Sequence, residues 1–322
     1  MAGEPVLYEK KFIADAVRRS ATTEVDRRKL FAMVGLAGAG AAAATMVGGS
    51  AADAATVDDG AILNFALNLE YLEAEFYLHA VNGKGLAKAD LAGVGKFGGV
   101  IGGHRVPWKK GSTIYRFAHE IAHDEHQHVN FLRTNLASAA VTRPTINFTD
   151  AFTGAARAAG VVGPTGTFDP FANETNFLLG AFLFEDVGVT AYKGAAPLIS
   201  NKGYLEAAAG ILAVEAYHAG QIRSSLFRAA EDNDGLFDVV KKLSDARDLL
   251  DDNTANDQSI RIGKATNIQP TDKDSIAFSR TPGAVLNIVY LNTTKPSVSK
   301  GGFFPNGVNV NGDGFVASDA KA

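Results

Sequence analysis

The sequence predicts an all-α protein: a long four-helix bundle with one long crossover, a short fifth helix and an irregular C-terminal extension. Three observations carry that reading. Four segments of about 24 to 27 residues place apolar residues at helical period, which corresponds to helices of about 36 to 40 Å. The connections run loop, long crossover and short turn, an order that fits two antiparallel helix pairs joined once across the bundle. Inside the apolar stripes of all four segments stand Glu residues, and in two of them His, in a pattern that occurs twice.

Before the bundle, residues 1–55 read as a targeting segment. Arg27-Arg28-Lys29 is followed by an Ala/Gly-rich apolar stretch and then by Ala52-Asp53-Ala54-Ala55, a small-x-small cleavage pattern. Paired arginines before a Gly/Ala-diluted core resemble a twin-arginine signal, although Asp26 and Leu30 depart from the usual flanking residues. The apolar run is too short and too rich in Gly to span a bilayer, so no stable transmembrane anchor is expected. The expected location is periplasmic or secreted.

The bundle is read over residues 56–251. Residues 58–81 open with acidic side chains suited to a helix N-terminus and carry Leu63, Leu67, Glu70, Ala74 and Tyr77 on one stripe. Residues 112–138 begin with a Ser/Thr cap and carry Ile114, Ala118, Ile121, Glu125, His128 and Leu132. Residues 173–199 carry Leu178, Phe182, Glu185, Val189 and Tyr192, and residues 204–230 carry Ala208, Ile211, Glu215, His218 and Ile222. The fifth helix, 236–250, is shorter and more charged. A Gly-rich loop joins the first two helices, and Pro144, Pro164 and Pro170 forbid continuous helix in the crossover. Residues 252–322 lose helical period and are read as an extension packed on the bundle; its one apolar run, 285–291, reads as either a strand or a short helix.

Bulk properties narrow the chemistry. The net charge is −4 at pH 7 and, beyond the targeting segment, no basic patch exceeds the short run Lys109-Lys110, so nucleic acid is not an expected partner. Cysteine is absent, which excludes disulfides, thiolate metal sites and thiol catalysis; any metal must take O and N ligands.

The repeated pattern meets that requirement. The first helix holds Glu70 and, seven residues on, Tyr77; the second holds Glu125-x-x-His128. The third repeats the Glu and Tyr as Glu185 and Tyr192, and the fourth repeats the motif as Glu215-x-x-His218. Residues three apart share a helix face, so Glu and His of each motif can reach one metal pair. Four carboxylates and two imidazoles suit two iron or manganese ions. Burying the four carboxylates without partners would be prohibitive, and two divalent cations offset their charge. By contrast Glu120-x-x-His123 falls with His119, Asp124, Gln127 and Asn130 on the polar side of its helix and is read as solvated. Glu73 competes with Glu70 one turn away, and Glu70 is preferred for its matched spacing to tyrosine. Asn309-x-Asn311-x-Asp313-Gly314 opens like a calcium loop but has Ala320 where the closing Glu should stand, so it reads as a turn.

The two Glu-x-x-His motifs with their lone glutamates resemble the di-iron carboxylate site of the ferritin-like superfamily. The strings LNFALNLEYLEAEFY at 63–77 and GFFPNG at 302–307 are similar to the desiccation-related, ferritin-like proteins. That resemblance implies Glu70, Glu125, His128, Glu185, Glu215 and His218 as metal ligands. It also implies Tyr77 and Tyr192 as inner tyrosines that hydrogen-bond to ligands or carry electrons; both would otherwise be ordinary core aromatics. The implied cofactor is a pair of iron or manganese ions, with iron preferred, and the implied chemistry is reaction with O2 or peroxide in stress protection, as an oxidase, a ferroxidase or a catalase-like scavenger. The alternative is a non-enzymatic stress or envelope protein in which metal only stabilises the bundle or is not bound at all. A storage cage is disfavoured because the 83–111 loop, the crossover and the extension would obstruct shell packing, while a homo-oligomer is left open.

Overall fold

The computed structural model describes residues 58–251, 256–294 and 296–320; the targeting segment read over residues 1–55 lies outside them. Helix α1 (Asp59–Asn82) packs along α2 (Thr113–Leu136), and α4 (Glu174–Ala195) packs along α5 (Lys202–Asp232). The turn from α4 to α5 is short enough that these two run antiparallel. The described chain is thus the all-α bundle that the sequence predicts.

Local chemistry sets the helix ends. Ser112 Oγ accepts from Tyr115 N at 3.1 Å, Asn173 Oδ1 from Asn176 N at 2.9 Å, and Asn201 Oδ1 from Gly203 N at 2.8 Å. Each supplies an acceptor to a first-turn N–H that has no partner within its helix. At the other end of α1, Gly83 takes φ 70° and returns its N–H to His79 O, a left-handed stop that glycine adopts without strain.

The crossover holds a helix absent from the sequence reading, α3 (Phe148–Ala158). Three prolines exclude one continuous helix, but this short one fits between Pro144 and Pro164 with Phe148, Ala151, Phe152 and Ala155 buried on one face. Just before it, β2 (Ile146–Asn147) pairs in parallel with β1 (Val100–Ile101), in the register Val100 to Ile146. That two-residue ladder ties the 83–111 loop to the crossover.

Helix α6 (Gly235–Leu250) and α7 (Pro282–Val289) follow, so the apolar run at 285–291 is helical in its larger part. Thr281 caps α7 and Pro282 occupies its first turn, where no N–H is needed. The chain after α7 enters the core: Phe303 meets the rings of Phe152 and Phe184 edge-on at 4.9 and 5.0 Å between centroids. Asn309 N donates to Asn68 Oδ1 at 2.9 Å, and Asn309 Nδ2 donates to Thr142 O at 2.8 Å. With that side chain committed to protein partners, the 309–314 segment serves as an anchor on the bundle.

A buried ion cluster fastens the C-terminal region to α4 and α5. Asp186 Oδ2 accepts from Arg223 at 2.8 Å and from Arg247 at 2.7 Å. Arg247 Nε lies 2.8 Å from Asp257, and Arg280 pairs with Asp257 and, at 2.6 Å, with Asp251. Arg223 Nη2 also donates to the carbonyls of Ser259 and Asn267. Three arginines and three aspartates balance formally, and their mutual pairing offsets the cost of taking six charges out of water. Removing one partner should therefore hurt far more than the pair contributes. Arg280→Met strands Asp251 and leaves Asp257 with Arg247 alone, and should lower unfolding free energy by about 3–5 kcal/mol in urea titration. Limited proteolysis should then release the region after Asp251 before the bundle is cut; wild-type resistance to both treatments would refute the clamp.

Candidate metal centre

The apolar stripes that drive α1, α2, α4 and α5 together carry their embedded Glu and His side chains into the bundle interior. Glu125 and Glu215 are 0 % exposed and Glu70 and Glu185 1 %, with His128 and His218 also buried. The six sequence-predicted residues meet there. His128 Nδ1 lies 3.2 Å from Glu70 Oε2, 3.6 Å from Glu125 Oε2 and 3.8 Å from Glu215 Oε1. His218 Nδ1 lies 3.0 Å from Glu125 Oε1 and 3.6 Å from Glu185 Oε2. Donor atoms of Glu70, Glu125, His128 and Glu215 form one group within 4.8 Å of one another, and those of Glu125, Glu185 and His218 form a second. Glu125 belongs to both, with one oxygen turned towards each imidazole.

The tyrosines cross over. Tyr77 of α1 donates its hydroxyl to Glu185 Oε1 of α4, and Tyr192 of α4 donates to Glu70 Oε1 of α1. Each bond holds one carboxylate oxygen and leaves the other facing the centre. Both tyrosines are therefore hydrogen-bond partners of the carboxylates and not only core aromatics.

One participant was not read from the sequence. Asp124 Oδ2 lies 3.2 Å from His218 Nε2, so the side chain placed among the solvated residues of α2 instead bridges to α5. An Nε2–H bonded to that carboxylate leaves the Nδ1 lone pair directed at the centre. Nothing in the local sequence signals a contact between helices so far apart in the chain. His119, Glu120 and His123 do face solvent, and His126 pairs with Asp90 at 3.0 Å.

Electrostatically the cluster is under strong stress. Burial, together with repulsion from Glu125, raises the Glu70 carboxyl to about 7 despite the attraction of His128. Burial likewise raises Glu185 to about 8. Burial and the surrounding carboxylates push Glu73 and Glu215 well above the usual range. Glu125 is the exception: burial would raise it, but the attraction of the facing His128 and His218 imidazoles holds it below the ordinary carboxylate range. Burial opposes protonation of the imidazoles, yet the facing carboxylates bring His128 to about 11 and His218 to about 9. Without a cation the centre holds protons in place of metal charge.

Hydrogen bonding tests whether a metal fits. Glu70 Oε2, both oxygens of Glu125, Glu185 Oε2, both oxygens of Glu215, His128 Nδ1 and His218 Nδ1 are buried with no hydrogen-bond partner. Eight inward-facing lone-pair positions on O and N atoms, with no thiolate, form a donor set for two hard or borderline divalent cations. Glu73 is buried but lies outside both donor groups. Gly188 makes room for Glu215, because a Cβ at that position would stand 2.3 Å from Glu215 Oε2.

Comparison with known proteins agrees with this geometry. The family model for the ferritin-like domain matches residues 58–228. The chain is similar to desiccation-related protein PCC13-62 of Craterostigma plantagineum, 32% identical over 257 residues that cover 74% of this chain and 80% of that protein. It is also similar to ferritin-like catalase Nec2 of Nesocodon mauritianus, 26% identical over 275 residues covering 80% and 84% of the two chains. No solved structure gives a significant match.

Two outcomes follow from the geometry. Asp124→Asn removes the carboxylate that orients His218 and should weaken metal binding about 10–100-fold in a competitive chelator titration, with little change in melting of the metal-free protein. The raised values of Glu70, Glu185, His218 and His128 mean that the metal-free folded state binds more protons than the unfolded chain. Their stabilisation is present in acid and is lost as pH rises through about 7 to 9. Chelator-treated protein should therefore melt lower at pH 9 than at pH 6. Metal affinity should rise over the same interval, because binding displaces those protons. A flat or rising melting curve for the metal-free protein would contradict this charge arrangement.

Proposed function

The chain belongs to the ferritin-like family, and from that premise we propose that its bundle binds a pair of iron or manganese ions, iron preferred, as a redox centre reacting with O2 or peroxide in stress protection. The observation that carries the reading is the set of eight buried donor atoms without hydrogen-bond partners, in which four carboxylates are faced by two imidazoles among the described residues. Glu70, His128, Glu125 and Glu215 would hold one ion; Glu125, Glu185 and His218 would hold the other, Glu125 being common to both groups. When bound, such ions supply electron transfer and Lewis acidity to an oxygen species. The chain's own residues prepare that chemistry. Tyr77 and Tyr192 fix one oxygen of Glu185 and Glu70, and Asp124 fixes the ring of His218. The apolar walls around them exclude water and keep these interactions strong.

The name of the relative in Nesocodon mauritianus, a ferritin-like catalase, supports peroxide as a reactant. Export by a twin-arginine route, which carries folded proteins, would let the centre fill in the cytoplasm before the chain reaches a periplasmic or external location. No described helix is long and apolar enough to cross a membrane. A second reading, metal as a stabiliser without catalysis, draws on the almost complete enclosure of the carboxylates.

Metal content decides the core of the proposal. Elemental mass spectrometry of protein purified without added metal should find about two iron or manganese ions per chain. The Glu125→Ala/His128→Ala double variant should lose them while remaining folded, and metal-dependent consumption of O2 or peroxide should disappear with them. A wild-type protein that is folded, metal-free and unable to take up either metal would refute the di-metal reading. Stoichiometric metal without turnover of either oxidant would leave the stabilising role.

A further inference from the structure

An apolar cavity of about 40 Å³ lies between the α1–α4 face of the bundle and the C-terminal region that covers it. Leu72 of α1, Phe184 and Val187 of α4, Leu243 of α6, Ile288 of α7 and Phe303 contribute its walls. Its outer rim includes Ala158, which is exposed, and its inner end is formed by buried Glu73 and Gly188. Gly188 is the wall that the cavity shares with the candidate metal centre. A Cβ added there would meet Glu215 Oε2 at 2.3 Å and Glu73 Oε1 at 3.6 Å.

Arg247, the other charged residue on the lining, has its guanidinium engaged by Asp186 and Asp257 and stacked over the Phe182 ring at 4.4 Å. That leaves the Glu73 carboxylate as the one lining side chain able to offer hydrogen bonds. A cavity of this volume could hold a water, but a buried water needs two to four polar partners, and apolar cavities stay dry and take up apolar guests. Hydrogen peroxide is disfavoured for the same reason: its two hydroxyls would leave water and find partners at one end only. Dioxygen has no hydrogen bonds to lose and gains dispersion contacts on every side.

We propose that this cavity binds dioxygen and supplies it to the metal centre across the Glu73–Gly188 wall. The proposal rests on the di-metal reading given above and extends it by separating the routes of the two oxidants: dioxygen enters from the covered apolar face, peroxide by another path.

Xenon, a dioxygen-sized apolar probe, tests the cavity without any turnover. Crystals of the protein pressurised with xenon should show one xenon site between Val187 and Phe303, whether or not metal is bound. Ala246→Leu and Ala155→Leu, from two different helices lining the cavity, should each abolish that site while metal content and melting temperature stay as in wild type. In metal-loaded protein reduced with dithionite, reoxidation by dissolved O2 should slow about tenfold in these variants, and reoxidation by hydrogen peroxide should keep its wild-type rate. An ordered water in the cavity, no xenon in the wild type, or O2 and peroxide rates that fall together or stay together unchanged would each overturn the proposal. Xenon bound in a protein that takes up no iron or manganese would instead overturn the di-metal reading, and with it the supply role, while leaving the apolar binding site intact.

Discussion

Five carboxylates inside one apolar bundle are the constraint on which the rest of this structure depends. Glu70, Glu73, Glu125, Glu185 and Glu215 are all buried, and among the described residues His128 and His218 are the potential cations that stand with them. Each unpaired charge in such surroundings costs several kcal/mol, so the group must bind protons or metal. The imidazoles and Glu125 form the charged heart of the metal-free state, while burial forces its other carboxyls towards neutrality. Two divalent ions would replace those protons and meet every inward-facing lone pair. The arrangement is costly as a hydrophobic core and becomes favourable only when something positive occupies it.

The surroundings are organised to withstand that cost. Helix α4 bears the load on both sides: Glu185 points to the centre, and the next residue, Asp186, anchors Arg223 and Arg247 in the outer ion cluster. The cluster draws α5, α6 and the segment around Asp257 and Arg280 onto the bundle, closing the face through which water would otherwise relax the buried charges. Phe303 completes the seal against Phe152 of α3 and Phe184 of α4. The C-terminal region is thus part of the electrostatic design, because a low dielectric near α1 and α4 exists only while the extension stays docked.

The parts of this arrangement visible in the sequence were those encoded at helical spacing. Glu70, Glu125, His128, Glu185, Glu215 and His218 each interrupt an apolar stripe, and an ionisable residue inside such a stripe must face the interior of whatever the stripe packs against. The matched distances from Glu70 to Tyr77 and from Glu185 to Tyr192 likewise survive in three dimensions as reciprocal hydrogen bonds. What escaped was encoded between elements. Asp124 sits on a polar face by periodicity, and only the approach of α5 turns it into a partner for His218. Asp186, Arg223, Arg247 and Arg280 look like ordinary surface charges until the extension buries them together. Helix α3 was masked by flanking prolines that limit its length without forbidding it.

Repetition of the motif does not make the two halves equivalent. One imidazole faces Glu70, Glu125 and Glu215, whereas the other faces Glu125 and Glu185 and is oriented from behind by Asp124. His128 has no such carboxylate behind it among the described residues. Gly188 adds a further difference, since a Cβ there would meet Glu215 and Glu73. A pair of ions held this way would have unequal charge environments: one with three facing carboxylates, the other with two and a carboxylate-backed imidazole. Inequality of that kind would separate the potentials of two bound ions. It would also give an oxidant reacting there a side to approach from, which a symmetric pair of sites would lack.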